Sequence, residues 1–262
     1  AVAPNERDLG IIYYWTPVEQ QKLFKTLVDS GLKGSGNYGI FAFGFYDGQG
    51  GAVPEFNLNL HRVVRFTWPV QFENGQIVEG GVQAYHGRYV VQGSAISPLG
   101  ATATTTTPRN TATTGAPKGI LEERVAASFV YFPQPFGFQA EWQVGRGPGL
   151  NPAQTAVMRR HLYGGYVMGM YRHDTESCWG ILTPYLRYQQ FTGGYRNQNN
   201  APFGIQRQTD IGIEWQLRKE LELVVEYNII NTPNFSSINT ARTRSYNEFE
   251  GTALRIQMQF NY

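Results

Sequence analysis

From Leu254 onward the chain reads LRIQMQFNY, in which Leu254, Ile256, Met258, Phe260 and Tyr262 alternate with Arg255, Gln257, Gln259 and Asn261. A period of two puts successive side chains on opposite faces of a β-strand, so this segment has one apolar and one polar face. The pattern recurs. Phe138, Ala140, Trp142 and Val144 oppose Gln139, Glu141 and Gln143, and Leu182, Leu186 and Tyr188 oppose Thr183, Arg187 and Gln189. Ile211, Ile213 and Trp215 oppose Asp210, Glu214 and Gln216, and Leu223, Val225 and Tyr227 oppose Glu222, Glu226 and Asn228. A chain written this way must form a sheet that is wet on one side and apolar on the other.

Eleven strand-like segments are expected, at about 8–17, 37–46, 55–70, 76–91, 121–132, 137–146, 157–172, 177–191, 204–217, 220–230 and 246–262. Most reach the roughly ten residues that a tilted strand needs to cross a bilayer. Connections alternate in length. ENG (73–75), PQPFG (133–137), RHDTE (172–176) and RKE (218–220) are short, whereas 92–120, 147–156, 192–203 and 231–245 are long. Short turns at one end and long loops at the other are the pattern of an outer-membrane barrel, with the short turns in the periplasm. The predicted fold is therefore all-β, a transmembrane antiparallel up-and-down β-barrel, with residues 1–262 as a single domain.

Composition agrees: 30 Gly, 16 Tyr and 16 Phe with only 16% charged residues favour many strands and turns. No run reaches the roughly 18 apolar residues of a membrane helix, and a mean hydropathy of −0.36 is what alternating strands also give. A net charge of +2 argues against nucleic acid as a partner. One cysteine and four scattered histidines supply no metal-ligand spacing, and no cofactor is expected. His61, His86, His161 and His173 come without a nucleophile motif, so no enzyme is expected. The start AVAPN has no charged and apolar leader; a secreted product would have lost its signal peptide ahead of this numbering.

Three segments depart from the alternation. Residues 18–36 place Leu23, Phe24, Leu27 and Val28 at helical spacing with Gly31 as a cap, which predicts a short helical insert at the periplasmic end. Residues 92–120 are Thr-rich and predict an exposed, mobile external loop. Strict alternation through LNLHRVVRFTW puts Arg62 on the lipid face near mid-strand, so a bulge is expected near His61–Arg62.

NERDLGIIYYW, GLKGSGNYGIFAFGFYDGQ (32–49), NGQIVEGGVQAYHGRYVV (74–91), LTPYLRYQQF (182–191) and TDIGIEWQLRKELELVVEY (209–227) together resemble the phosphate-selective porin O/P family of Gram-negative outer membranes. The resemblance implies a sixteen-stranded barrel, a homotrimer, passage of small ions or solutes including phosphate, and outer-membrane lipid as the surroundings. With eleven strands expected here, the chain looks like the C-terminal two-thirds of such a barrel, and a complete ten- or twelve-stranded barrel is the alternative. The resemblance also implies a folded-in loop that narrows the pore, expected ahead of this chain.

Pore-lining candidates are Arg65, Arg124, Glu141, Arg159, His161, Arg187, Asp210, Glu214, Glu222, Glu226 and Arg255, with Glu79 also inward. Arg65, Arg124, Arg159 and Arg187 suit an arginine track because guanidinium grips phosphate oxygens with two hydrogen bonds. Asp210, Glu214, Glu222 and Glu226 fall on adjacent strands flanked by Arg187 and Arg255, as a ladder of ion pairs or as a lateral field across the pore. Tyr89, Phe132, Trp142, Tyr188, Trp215 and Tyr262 are candidates for aromatic girdles at the membrane interfaces.

Overall fold

The computed structural model describes residues 8–32, 40–50, 55–98, 104–175, 179–236 and 246–260. Alternating segments fold as β1 (Gly10–Trp15), β2 (Phe41–Tyr46), β3 (His61–Gln71), β4 (Ile77–Tyr89), β5 (Ile120–Tyr131), β6 (Phe136–Leu150) and β7 (Val157–Tyr171). They continue as a two-residue β8 (His173–Asp174), β9 (Ile181–Gly194), β10 (Phe203–Arg218), β11 (Leu221–Ser236) and β12 (Tyr246–Phe260). Every long strand pairs antiparallel with the next in one meander, and β8 adds to the start of β9. All eleven expected strands are present, and β8 is the addition. The sheet is open, with β1 and β12 as its edges. In hydrocarbon both edges require hydrogen-bond partners, from each other or from strands outside this sequence.

The two faces follow the alternation. Phe66, Trp142, Leu186 and Ile211 stand exposed on the outer face. Glu79, Glu122, Asp210 and Glu226 point to the other side and are buried. Two expected loops are shorter than the sequence implied, because β6 and β7 extend as a hairpin to Leu150 and Val157, and β11 runs on to Ser236. The 151–156 turn is held by the Asn151 side chain, whose Oδ1 accepts the Thr155 and Ala156 amides at 2.8 and 3.0 Å.

Arg62 needs no bulge. Residues 55–60 are not strand, so Arg62 is the second residue of β3, and pairing with β2 and β4 runs past it in unbroken register. It faces outward at the long-loop end of the strand.

The predicted insert is α1 (Val18–Asp29), between β1 and β2. Its end is a Schellman motif. Gly31 takes φ +70°, its amide donates to the Val28 carbonyl at 3.1 Å, and the Leu32 amide donates to Leu27 at 3.0 Å. Phe24, Leu27 and Leu32 then pack on Ile40, Ile77, Phe132 and the inward-facing Val130. Ile77 and Phe132 flank the short turns, so α1 occupies that end of the inner face, as expected. At its far end Arg172 donates to the Ser30 carbonyl at 3.1 Å. Leu27 is fully buried, so Leu27→Ala is expected to destabilise the folded protein by about 2–5 kcal/mol, measurable by urea unfolding in micelles.

The described part of the Thr-rich segment, 104–119, is largely exposed as expected, but it is pinned to the wall at a few buried points. Ile96 and Thr106 exchange backbone hydrogen bonds at 3.0 and 2.8 Å, and Thr111 is fully buried. Ile96 packs with Tyr89, Val91, Leu150, Val157 and Ala201, and Arg109 bridges to Ala156. Threonine reads as polar and unstructured in sequence, yet here its hydroxyls satisfy the backbone of a folded cap: Thr111 and Thr114 both donate to the Pro108 carbonyl.

Candidate functional site

The inner face bounds a cavity of about 660 Å³ lined by Arg124, Glu141, Gln143, Tyr166, Gln189, Tyr195, Arg196 and Asn197 among others. Its strand residues lie in register across the wall: Glu141 is opposite Tyr166, and Tyr166 is opposite Gln189. Arg124 comes from β5, two residues from Glu122 on the same face.

The remaining wall is a segment, 195–202, that leaves β9 and folds inward to reach β4 and β5. Asn200 is fully buried there, with its side-chain amide donating to the Ser94 carbonyl at 3.0 Å and its Oδ1 accepting the Ser94 amide at 3.0 Å. The Tyr89 hydroxyl donates to Asn197 Oδ1 at 2.9 Å. Arg196 Nη1 donates to Glu122 Oε2 at 2.7 Å and to the Tyr85 hydroxyl at 2.9 Å, with its guanidinium 4.9 Å from the Tyr89 ring centroid. Glu122 is fully buried between Arg196 and Arg124, whose Nε donates to Oε1 at 2.6 Å. Two guanidinium groups thus share one carboxylate, which leaves that trio one positive charge, and Glu141 brings a second carboxylate to the same cavity.

Tyr85 links this centre to His61. His61 Nε2 lies 2.9 Å from the Arg88 carbonyl, which only accepts, so Nε2 carries the proton and Nδ1 accepts from the Tyr85 hydroxyl at 2.6 Å. The imidazole fits because Gly87 has no side chain; a Cβ there would lie 2.4 Å from the ring. Burial pushes the Tyr195 hydroxyl up to about 12, so it faces the cavity uncharged at neutral pH.

A second cluster spans β9 to β11. Arg187 Nε donates to Asp210 Oδ2 at 2.8 Å and its Nη2 to Glu226 Oε2 at 3.0 Å. Gln189, Gln208 and Asn228 donate to Asp210, and Asn228 and Tyr185 also donate to Glu226. Tyr185 reaches from β9 to β11 by lying across Gly212, where an added Cβ would fall 2.3 Å from its ring. Gly212→Ala is therefore expected to displace Tyr185 and break its 2.7 Å bond to Glu226, costing about 1 kcal/mol in urea unfolding. Wild-type stability in that variant would refute the packing.

Among the sequence candidates, Arg65, Arg124, Glu141, Arg187, Asp210, Glu214, Glu222 and Glu226 share the inner face, and Arg255 stands opposite Glu226. Only Arg124 and Glu141 line the cavity. Arg159 and His161 do not face the lumen. His161 is opposite Arg146 and shares the outer face with Tyr163, and Arg159 pairs with Glu123 there. Tyr89 and Phe132 are also misplaced by the girdle expectation: both are buried, one under the inward segment and the other under α1. Trp142 and Tyr188 are exposed on the outer face, and Trp215 stacks on Trp179 at 5.9 Å. Tyr262 lies outside the described residues. Arg196 and Glu122 were missed. The one signal was an arginine between aromatic and amide residues in GGYRNQNN (193–200), which has no period to betray its fold.

An eleven-stranded antiparallel meander, with β8 added beside β9, that has an apolar outer face and a charged inner face defines a membrane β-barrel wall. The model of the family "Phosphate-selective porin O and P" matches residues 9–262, and the chain belongs to that family. Membership of that family places it in the Gram-negative outer membrane. No curated protein matches the chain. Among solved structures it is similar to OmpT, an outer membrane protein of Vibrio cholerae folded in vitro, with 8% identity and a TM-score of 0.44. That match covers 84% of this chain and 60% of the other, so the chain spans less than two thirds of that protein.

Proposed function

We propose that the chain forms the wall of a water-filled pore through which small hydrophilic solutes and ions diffuse passively, and that anions such as phosphate are drawn to Arg124 and Arg196. The observation that carries this reading is the polar cavity on the inner face, where Arg124 and Arg196 share the single carboxylate of Glu122 and so keep one positive charge between them. Guanidinium donors in a fixed fork match phosphate oxygens, and selection in such a pore follows from width and wall charge without a chemical step. Arg187 is a weaker candidate, since Asp210 and Glu226 already hold it. The outer apolar face meets lipid, with Trp179 and Trp215 at the interface near the short turns, and the functional unit is a homotrimer. In planar bilayers under a salt gradient, the Arg124→Gln, Arg196→Gln double variant is expected to move the reversal potential toward cations and to weaken block by phosphate. Unchanged values in both would remove these two residues from selection.

A second reading has one observation behind it: α1 lies on the inner face at the short-turn end and is anchored by Arg172. In that reading α1 closes the lumen and the barrel docks a partner protein. Deleting residues 18–32 discriminates, because a plug requires a silent wild type and a conducting deletion.

A further inference from the structure

The outer face carries a feature that diffusion through the lumen does not use. Arg62, His86, Glu123, Arg146 and His161 stand directly opposite one another across β3 to β7, forming one row on five adjacent strands. Adjacent strands are about 4.8 Å apart, so the row is roughly 19 Å wide. Arg88 and Arg159 flank it from the same strands and face, and Glu123 is its one carboxylate, 3.7 Å from His86 and ion-paired with Arg159. Immediately toward the short turns, the next outward row is Val64, Ala84, Val125, Val144 and Tyr163. The charge boundary is therefore one pleat wide. A groove of about 510 Å³ crosses it, with Arg146, Arg159 and His161 at one end and Val125, Trp142, Val144 and Tyr163 along its floor.

We propose that this groove binds an anionic lipid of the outer leaflet, its phosphate on Arg146 and Arg159 and an acyl chain along Trp142 and Val144. The long-loop end faces outward in an outer-membrane barrel, which puts the row at the level of outer-leaflet headgroups. Guanidinium takes phosphate through paired, charge-assisted hydrogen bonds, and an adjacent apolar trough supplies what a free phosphate ion would not use. Charge complementarity favours lipid over a second copy of the chain, because the row and its flanks bring four arginines and one carboxylate to the contact. This proposal rests on the outer-membrane location and not on solute passage, so either can fail alone.

The test is native mass spectrometry of the full chain in micelles containing equal amounts of phosphatidylglycerol and phosphatidylcholine with matched acyl chains. The wild type is expected to retain phosphatidylglycerol preferentially. Arg146→Gln with Arg159→Gln is expected to lower that preference about twenty- to thirtyfold, near a fivefold factor for each arginine at an anionic surface. Arg146→Lys with Arg159→Lys should keep most of it, which separates loss of charge from loss of fold. No preference in the wild type, equal retention by the Gln variant, or displacement of the lipid by millimolar inorganic phosphate would overturn the proposal. A change in oligomer mass without a change in lipid retention would overturn it too, assigning the face to contact between copies.

Discussion

Replacing Glu122 by alanine is expected to destabilise the folded barrel by about 3–5 kcal/mol, because it leaves two arginines facing each other without their carboxylate. Glu122 has no solvent exposure, and it accepts from both Arg124 and Arg196. Arg196 is also one of the ties of the 195–202 segment to the opposite wall, beside Asn197 and Asn200, so losing Glu122 loosens that segment at its cavity-facing end. Two readouts should move together: the urea midpoint in micelles falls, and single-channel conductance becomes larger and less uniform. Glu122→Gln keeps the shape and some hydrogen bonds and should lie between wild type and Glu122→Ala. A Glu122→Ala protein with an unchanged midpoint and unchanged steps would show that this carboxylate holds nothing in place.

Arg187→Met is the second large effect, at the lower end of about 3–5 kcal/mol, since the Arg187 side chain is 29% exposed. It leaves Asp210 and Glu226, both buried, within one network that has lost the guanidinium bonded to both. The amide donors of Gln189, Gln208 and Asn228 remain but bring no charge. The dense pairing identifies this cluster as a brace across β9 to β11, while the spare negative charge still faces the lumen. Urea unfolding of Arg187→Met, Asp210→Asn and the double variant separates these contributions. If the double variant is no more stable than Arg187→Met alone, the two side chains do not act on each other.

Most of the fold was legible because alternation in hydrocarbon leaves no freedom: a one-residue slip would turn Leu186, Ile211 and Ile256 into the lumen and their charged neighbours into lipid. The same rule misled at the strand ends. Arg159 and His161 are polar, which reads as lumen-facing, yet near this end of β7 polar residues stand on the outer face as well, so polarity there carries no information on facing. Tyr89 and Phe132 failed for the complementary reason. An aromatic near a strand end reads as a girdle residue, but tertiary cover decides it, and here the inward segment and α1 cover them. Arg196 had no periodic signal because its position depends on a loop conformation fixed by Asn200 and Ser94, 106 residues apart. The helix was readable from Leu23, Phe24 and Leu27 at helical spacing and from Gly31 at its end, since these depend only on local chain geometry.

The central claim is that this wall encloses a conducting, water-filled path across the outer membrane. Planar-bilayer recording of the native protein under a salt gradient, with phosphate then added to one side, tests it most directly. Discrete steps with an anion-favouring reversal potential and reduced current on adding phosphate are predicted. A protein that inserts and gives no steps at any voltage would contradict the claim.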